Sequence, residues 1–201
     1  VAIGISNQRE TVVAWDRETG EPLHGAIVWQ CARAKGVCEG MGAQAELVGE
    51  RSGMPLSPYF SAAKCAWLLR NVDAVAHAAK AGSLALGTID SWLAFNLCEG
   101  RPFVTEPSNA SRTQLLGIAS GGWDDGLCDA FGVPMGALAH VMPSDSGFGT
   151  TDLGGLLARP VPLHGMLGDS QAALLAQGCV SPGSVKATYG TGSSVMMNVG
   201  G

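Results

Sequence analysis

The sequence predicts an α/β fold, and three observations carry the prediction. Short β-branched runs alternate with helix-patterned segments along the whole chain. Glycine supplies 29 of the 201 residues, about twice its usual share, so the chain can turn often. Charged residues make up only 14% against 46% hydrophobic, a balance that suggests a surface partly turned toward something other than water. A chain of this size buries roughly 70% of its unfolded surface, enough for a real core. That apolar content excludes intrinsic disorder, and the scarcity of charge excludes a coiled coil. A formal net charge of −5 argues against a nucleic-acid or anionic-membrane surface.

Residues 1–6 and 11–15 read as strands flanking the polar stretch Asn7-Gln8-Arg9-Glu10. Residues 16–20 form a turn cluster, and 26–29 read as a further strand. Residues 32–51 are weakly helical, interrupted by Gly36, Gly40 and Gly42. Past Pro55 and Pro58 a loop presents Tyr59-Phe60. Ser61 then stands as the N-cap of a helix to residue 72, with Cys65, Leu68, Leu69 and Val72 on one face. A helix over 73–81 ends at Gly82. Residues 84–89 form a strand, and Asp90 caps a helix carrying Trp92, Leu93 and Leu97. Residues 101–122 read as irregular and polar. A helix over 124–131 meets the stop signal Gly132 and Pro134. A buried strand over 160–167 runs into Gly168-Asp169-Ser170, followed by a helix over 171–177 that ends at Gly178. Two last strands, 184–189 and 194–199, join across Gly190-Thr191-Gly192.

No stretch reaches the ~20 apolar residues of a membrane span, and the N-terminus lacks the basic flank of a signal peptide. The chain opens inside one strand and stops just after another, so it reads as a piece of a longer protein. Six cysteines stand at 31, 38, 65, 98, 128 and 179 without C-x-x-C spacing. They read as reduced thiols serving as small apolar residues in a cytoplasmic protein. His24, His77, His140 and His164 are far apart and carry no metal-ligand spacing, so no metal site is indicated by a direct motif.

Three segments can carry chemistry. In open α/β sheets ligands bind beyond the carboxyl ends of the strands. Asp169 stands at such an end and at a helix N-terminus, as either a helix cap or a carboxylate that accepts a proton from a substrate hydroxyl. The Gly190-Thr191-Gly192 turn is either a simple hairpin loop or an anion-binding nest. The Arg9-Glu10 pair is either a surface turn or a donor fork beside an acceptor, which suits a polyol. Trp29 and Tyr59-Phe60 are core aromatics or the flat apolar wall against which polyols pack. Arg112 reads as an exposed loop charge.

Taken in order, the stretches AIGISNQRET at 2–11, AIVWQCARA at 26–34, PYFSAAKCAWLL at 58–69, LGTIDSWL at 86–93, PSNASRT at 107–113, GDSQAALLAQG at 168–178 and TYGTGSSVMMNVG at 188–200 resemble the FGGY carbohydrate kinases. The resemblance implies an actin-like, ribonuclease-H-like ATPase fold with a mixed sheet flanked by helices, in two domains. Residues 1–177 would be most of the first, substrate-binding domain, and 178–201 the opening hairpin of the second, nucleotide-binding domain. It implies ATP-dependent phosphorylation of a small polyol, glycerol to glycerol 3-phosphate. The alternatives are another short polyol or ketose, or a non-catalytic polyol-binding fragment. By family pattern Arg9, Glu10, Trp29, Tyr59, Asp169 and Ser170 surround the polyol, and Asp169 is the general base. Gly190, Thr191 and Gly192 approach the ATP phosphates, and Mg²⁺ accompanies ATP near Asp169. The resemblance also implies a homo-oligomer at full length.

Two departures from the family's glycerol-specific pattern stand out. Ser170 replaces a Gln after the Asp, and Ser194 replaces an aromatic shortly after the G-T-G loop. Both are towards smaller groups and imply a wider pocket. The family's N-terminal phosphate loop and its glycine-rich adenosine site fall outside this chain, so the isolated 201 residues are expected to show negligible turnover.

Overall fold

The structure is a computed structural model, and it describes residues 1–189 and 193–200. Its elements in chain order are β1 (Ile3–Asn7), β2 (Val13–Asp16), α1 (Lys35–Glu39), α2 (Ala45–Ser52), α3 (Ser61–Asn71), α4 (Asp73–Ala81), β3 (Leu84–Gly87) and α5 (Ile89–Leu97). There follow β4 (Val104–Thr105), α6 (Pro107–Ala110), α7 (Asp125–Phe131), β5 (His140–Val141), β6 (Gly149–Thr151), β7 (Val161–Gly168), α8 (Asp169–Ala176), β8 (Val185–Tyr189) and β9 (Ser193–Met197). The chain is α/β, as its strand–helix alternation predicts.

A mixed three-stranded sheet, ordered β1-β7-β6, holds the strands that matter for the site. β1 runs parallel to β7, with Asn7 opposite Gly168, so the two strands end side by side. β6 closes the sheet antiparallel to β7. Antiparallel β2–β3, parallel β4–β5 and antiparallel β8–β9 form separate pairs. The largest hydrophobic cluster joins α2, α3, α4 and α7 with β2, β3 and the segment around Ile27, through residues such as Val48, Leu68, Val75, Leu127 and Phe131. A second small cluster is built on Trp15, which is wholly buried. Trp92, Phe95 and Phe103 meet its ring edge-on at 5.2, 5.5 and 5.2 Å between centroids. Gly87 is required beside it, because a Cβ there would lie 2.7 Å from the Trp15 ring. Cys65, Cys98, Cys128 and Cys179 are buried, as small apolar residues would be.

Several sequence expectations give way to tertiary pairing. Residues 26–29 form no strand; Ile27 makes only an isolated antiparallel bridge to Val12. Ser61 does not cap α3. Phe60 holds the N-cap position with no side-chain bond, and the Ser61 hydroxyl instead donates to the Glu10 carbonyl at 3.1 Å. Asp90 does not cap α5 but lies in its first turn, wholly buried, accepting from the hydroxyls of Thr88 (2.5 Å) and Thr105 (2.6 Å). Burial pushes its carboxyl up to about 6 despite those two bonds. Residues 101–122 are not irregular: they contain β4, α6 and a 3₁₀ turn over Ser111–Thr113. α8 begins two residues before the expected 171, so Gly168 is its N-cap and Asp169 its first helical residue. Among the described residues no helix is long and apolar enough to cross a membrane.

Candidate active site

β1 ends at Asn7, and the chain then turns back within three residues, the Thr11 amide donating to the Arg9 carbonyl at 2.8 Å. The residue at the centre of that turn is Glu10, with φ of +62° in the left-handed region. A non-glycine residue there costs about 1–3 kcal/mol and persists only when its surroundings enforce it. Here they do. The Glu10 carboxylate, almost wholly buried, accepts from Arg112 Nε at 2.7 Å, while Ser61 holds its carbonyl. A buried carboxylate without that partner would be costly, so Arg112 fixes the charge of Glu10 while Ser61 holds its backbone.

Arg9 points the other way, across the ends of the two parallel strands. Its guanidinium donates to Ser170 Oγ and to Gln171 Oε1, each at 3.0 Å. Its Nε lies 3.4 Å from Asp169 Oδ1. Gly168 makes room for this crossing, since a Cβ there would stand 2.5 Å from Arg9 Cδ. Asp169 leaves 56% of its side chain exposed at the cavity edge. It accepts from the amide of Ser170 at 2.7 Å, and it is not the helix cap that the sequence allowed.

The opposite wall is aromatic. Trp29 and Tyr59 meet edge-on with centroids 5.8 Å apart, and Tyr59 meets Phe60 at 5.3 Å. Arg112 lies 4.8 Å from the Phe60 ring centre. Each aromatic is anchored by a polar group beneath it. The Trp29 amide donates to Thr11 Oγ1 at 3.2 Å. Lys64, wholly buried, donates through Nζ to the carbonyls of Tyr59 and Phe60. Burial holds its ammonium down to about 8. Burial also raises the Tyr59 phenol above its ordinary value, helped by the Glu10 charge.

These groups converge. Gln8, Arg9, Glu10, Trp29, Tyr59, Arg112, Asp169 and Ser170, with Ser193, Ser194 and Val195 from β9, line one cavity of about 670 Å³. Two guanidinium groups and two carboxylates face an apolar wall, the donor–acceptor set that a small polyhydroxylated molecule needs. All six residues expected from the sequence on the polyol side are brought together. Gly190, Thr191 and Gly192 lie outside the described residues. Among the described residues no three His, Cys, Asp or Glu side chains gather as a metal site.

Arg112 is the correction. Expected as an exposed loop charge, it is half-buried, with 27% of its side chain exposed, and it is the partner of Glu10. Gln171 was not singled out either. Arg112 lies within the PSNASRT stretch at 107–113 that resembles the family, and its neighbourhood carries a further signal. Its segment holds Glu106, Ser108 and Asn109, polar side chains able to close bonds on their own backbone and so to order a stretch that composition marks as loop.

Comparison with known proteins agrees with this geometry. Residues 1–176 match the model of the N-terminal domain of the FGGY family of carbohydrate kinases. The chain is 47% identical over 201 residues to glycerol kinases of Shewanella frigidimarina and Shewanella pealeana. The alignments cover 99% of this chain and 40% and 41% of those proteins, so the chain spans about two fifths of the curated relatives it matches. Among solved structures, the Plasmodium falciparum glycerol kinase with ADP superposes with a TM-score of 0.91 at 36% identity, over 98% of this chain and 40% of that one. The xylulose kinase of Rhodospirillum rubrum shares the fold at a TM-score of 0.81 and 22% identity, over 96% of this chain and 40% of that one. The mixed sheet with flanking helices is thus that of the actin-like ATPases, and the chain belongs to the FGGY family of carbohydrate kinases.

Proposed function

We propose that the protein containing this chain transfers the γ-phosphoryl group of ATP to a small polyol, with glycerol as the substrate and glycerol 3-phosphate as the product. The observation that carries this reading is the convergence of Arg9, Glu10, Arg112, Asp169 and the Trp29–Tyr59 wall on one cavity, in a chain 47% identical to glycerol kinases. Arg9 and Glu10 bind neighbouring hydroxyls as donor and acceptor, and the aromatic wall covers the carbon chain. Asp169, exposed at the cavity edge, takes the proton of the attacking hydroxyl. Phosphoryl transfer passes through a loose transition state, so a carboxylate that accepts the proton late suffices. Asp169 also fits Mg²⁺, which is usually held by one or two carboxylates together with substrate phosphates. That ion, when bound, neutralises phosphate charge. Gly190, Thr191 and Gly192, which lie outside the described residues, are assigned to the ATP phosphates on the family resemblance. We assign residues 1–177 to the substrate-binding domain and 178–201 to the start of the nucleotide-binding domain, a division supported by a family match that ends at 176.

Ser170 and Ser194 on the cavity lining support a second reading, a four-carbon polyol or a short ketose. A panel of C3 to C6 polyols and ketoses, read by ADP release from the full-length protein, decides between them. The test of the mechanism is Asp169→Asn. Asn keeps the shape and retains an Oδ1 that can accept the Ser170 amide, so the melting temperature should stay close to wild type. Loss of a general base should lower kcat by about 10²–10⁴-fold. A kcat within about threefold of wild type removes Asp169 from the mechanism.

A further inference from the structure

A buried polar network lies directly beneath the site and joins its two halves. Its centre is Glu106, wholly buried, with no cation among its partners. Oε1 accepts from the Ser108 hydroxyl (2.6 Å), the Asn109 amide (2.7 Å) and Asn109 Nδ2 (2.8 Å). Oε2 accepts from the Ser108 amide (2.9 Å) and the Ser144 hydroxyl (2.7 Å). Five donors satisfy the carboxylate, which is how a buried charge is tolerated without a counter-ion.

Two arms leave this centre, and each has a fixed polarity. Ser108 has one hydroxyl proton, given to Glu106, so its lone pair faces outward and accepts the Gly168 amide at 2.7 Å. Gly168 is the last residue of β7 and the residue before Asp169. Asn109 must turn its Nδ2 toward the carboxylate, and the second proton of that group goes to Asn7 Oδ1 at 3.1 Å. Its Oδ1 then accepts from Asn7 Nδ2 at 2.8 Å, which also donates to the Gln8 carbonyl at 2.9 Å. Asn7 is the last residue of β1, two before Arg9. One carboxylate therefore dictates the orientation of every hydrogen bond that ties the end of β1 to the end of β7 through α6. Ser144, the fifth donor, also accepts the Met166 amide of β7 through its carbonyl at 3.0 Å.

We propose that Glu106 is a positioning residue that sets Asp169 against Arg9 and Glu10, through Ser108 on one arm and Asn109 on the other. This deepens the polyol-kinase reading and rests on it. The arms separate chemically. The Ser108 arm holds the base, so its loss acts on kcat. The Asn109 arm holds the Arg9–Glu10 turn, so its loss acts on the KM of the polyol.

The experiment is steady-state kinetics of full-length Ser108→Ala, Ser108→Cys, Ser108→Thr, Asn109→Ala and Glu106→Gln, with rates normalised to active sites and a thermal melt for each. Ser108→Ala should lower kcat about 10- to 100-fold, since misplacing a catalytic group by about 1 Å costs that much, with the polyol KM within about threefold. Ser108→Thr keeps the hydroxyl and should restore kcat. Ser108→Cys keeps the size but is a weak donor and should fall between; it carries the test should Ala fail to fold. Asn109→Ala should raise the polyol KM about tenfold with a smaller loss of kcat, and Glu106→Gln should show both defects. A purely structural role would lower the melting temperature and the active fraction while leaving normalised kcat and KM unchanged in all variants, and that result overturns the proposal. If Asp169→Asn is itself silent, the polyol-kinase mechanism fails and this proposal with it. If Asp169→Asn is inactive while the Ser108 variants match wild type, only the proposal fails.

Discussion

At position 168 a single methyl group decides whether Arg9 can lie where it does. The Gly168 backbone has φ of −60°, which alanine adopts without strain. The obstacle is the Arg9 side chain, whose Cδ and Cγ would meet the new Cβ at 2.5 and 2.8 Å. These are mid-chain atoms, so the guanidinium must leave its bonds to Ser170 and Gln171. Gly168→Ala should therefore raise the polyol KM by on the order of tenfold or more, with a melting temperature near that of wild type. Equal KM values would show that Arg9 does not bind substrate from this position. The same crossing explains what the sequence showed and hid at this scale. The pair Arg9-Glu10 is legible because two charges end an apolar strand. The role of Arg112 is not, because its partner Glu10 lies 102 residues away and only the fold brings them to 2.7 Å.

Among the elements, the β8–β9 hairpin contributes Ser193, Ser194 and Val195 to the cavity lining. Ser194 pairs with Thr188 across the hairpin and is half-buried on the lining of the cavity that Trp29 and Tyr59 also line. Ser194→Phe in the full-length protein should narrow the pocket and shift kcat/KM toward glycerol and away from four-carbon substrates. A lost or gained wall of this size is worth about 10- to 200-fold in discrimination. An unchanged specificity ratio would place the selecting contacts elsewhere. Element type was readable where local signals are strong. Helix α4 ends at Gly82 with φ of +79°, and α7 is capped by Asp124, which accepts from the Leu127 amide at 2.9 Å. The two-residue strand β4 and the single turn of α6 were not readable, since each is too short to show a period. They are held by pairing with β5 and by the Glu106 carboxylate.

For the molecule as a whole, buried thiols set an alkaline limit. Burial pushes Cys65 and Cys128 up to about 12 and also raises Cys38 and Cys98. In the unfolded chain thiols ionise near 9. The stability these groups give is complete below that value and is lost as pH rises from about 9 towards 12. Lys64 acts in the opposite sense. Held down to about 8 against 10.5 when unfolded, it adds stability between those values. Several thiols oppose one amine, so the melting temperature should hold near pH 8 and fall above pH 9. Cys65→Ala combined with Cys128→Ala should flatten that fall, measured by thermal melts from pH 7 to 10.5. An equally steep decline in the double variant would mean that other groups control it.

The sequence by itself determined the α/β class, the family to which the chain belongs and the residues that carry polar chemistry at strand ends. Those properties are local: strand and helix patterns, glycine stops and short motifs depend on neighbours within a few positions. Tertiary structure alone decided which of these residues face one another. Parallel pairing of β1 with β7 sets Asn7 beside Gly168 across 161 residues of sequence and so brings Arg9 to Asp169. It also decided what lies beneath them, a buried carboxylate and a buried ammonium. Buried charge survives only with partners in hand, and Glu106 draws one of its five donors, Ser144, from 38 residues away.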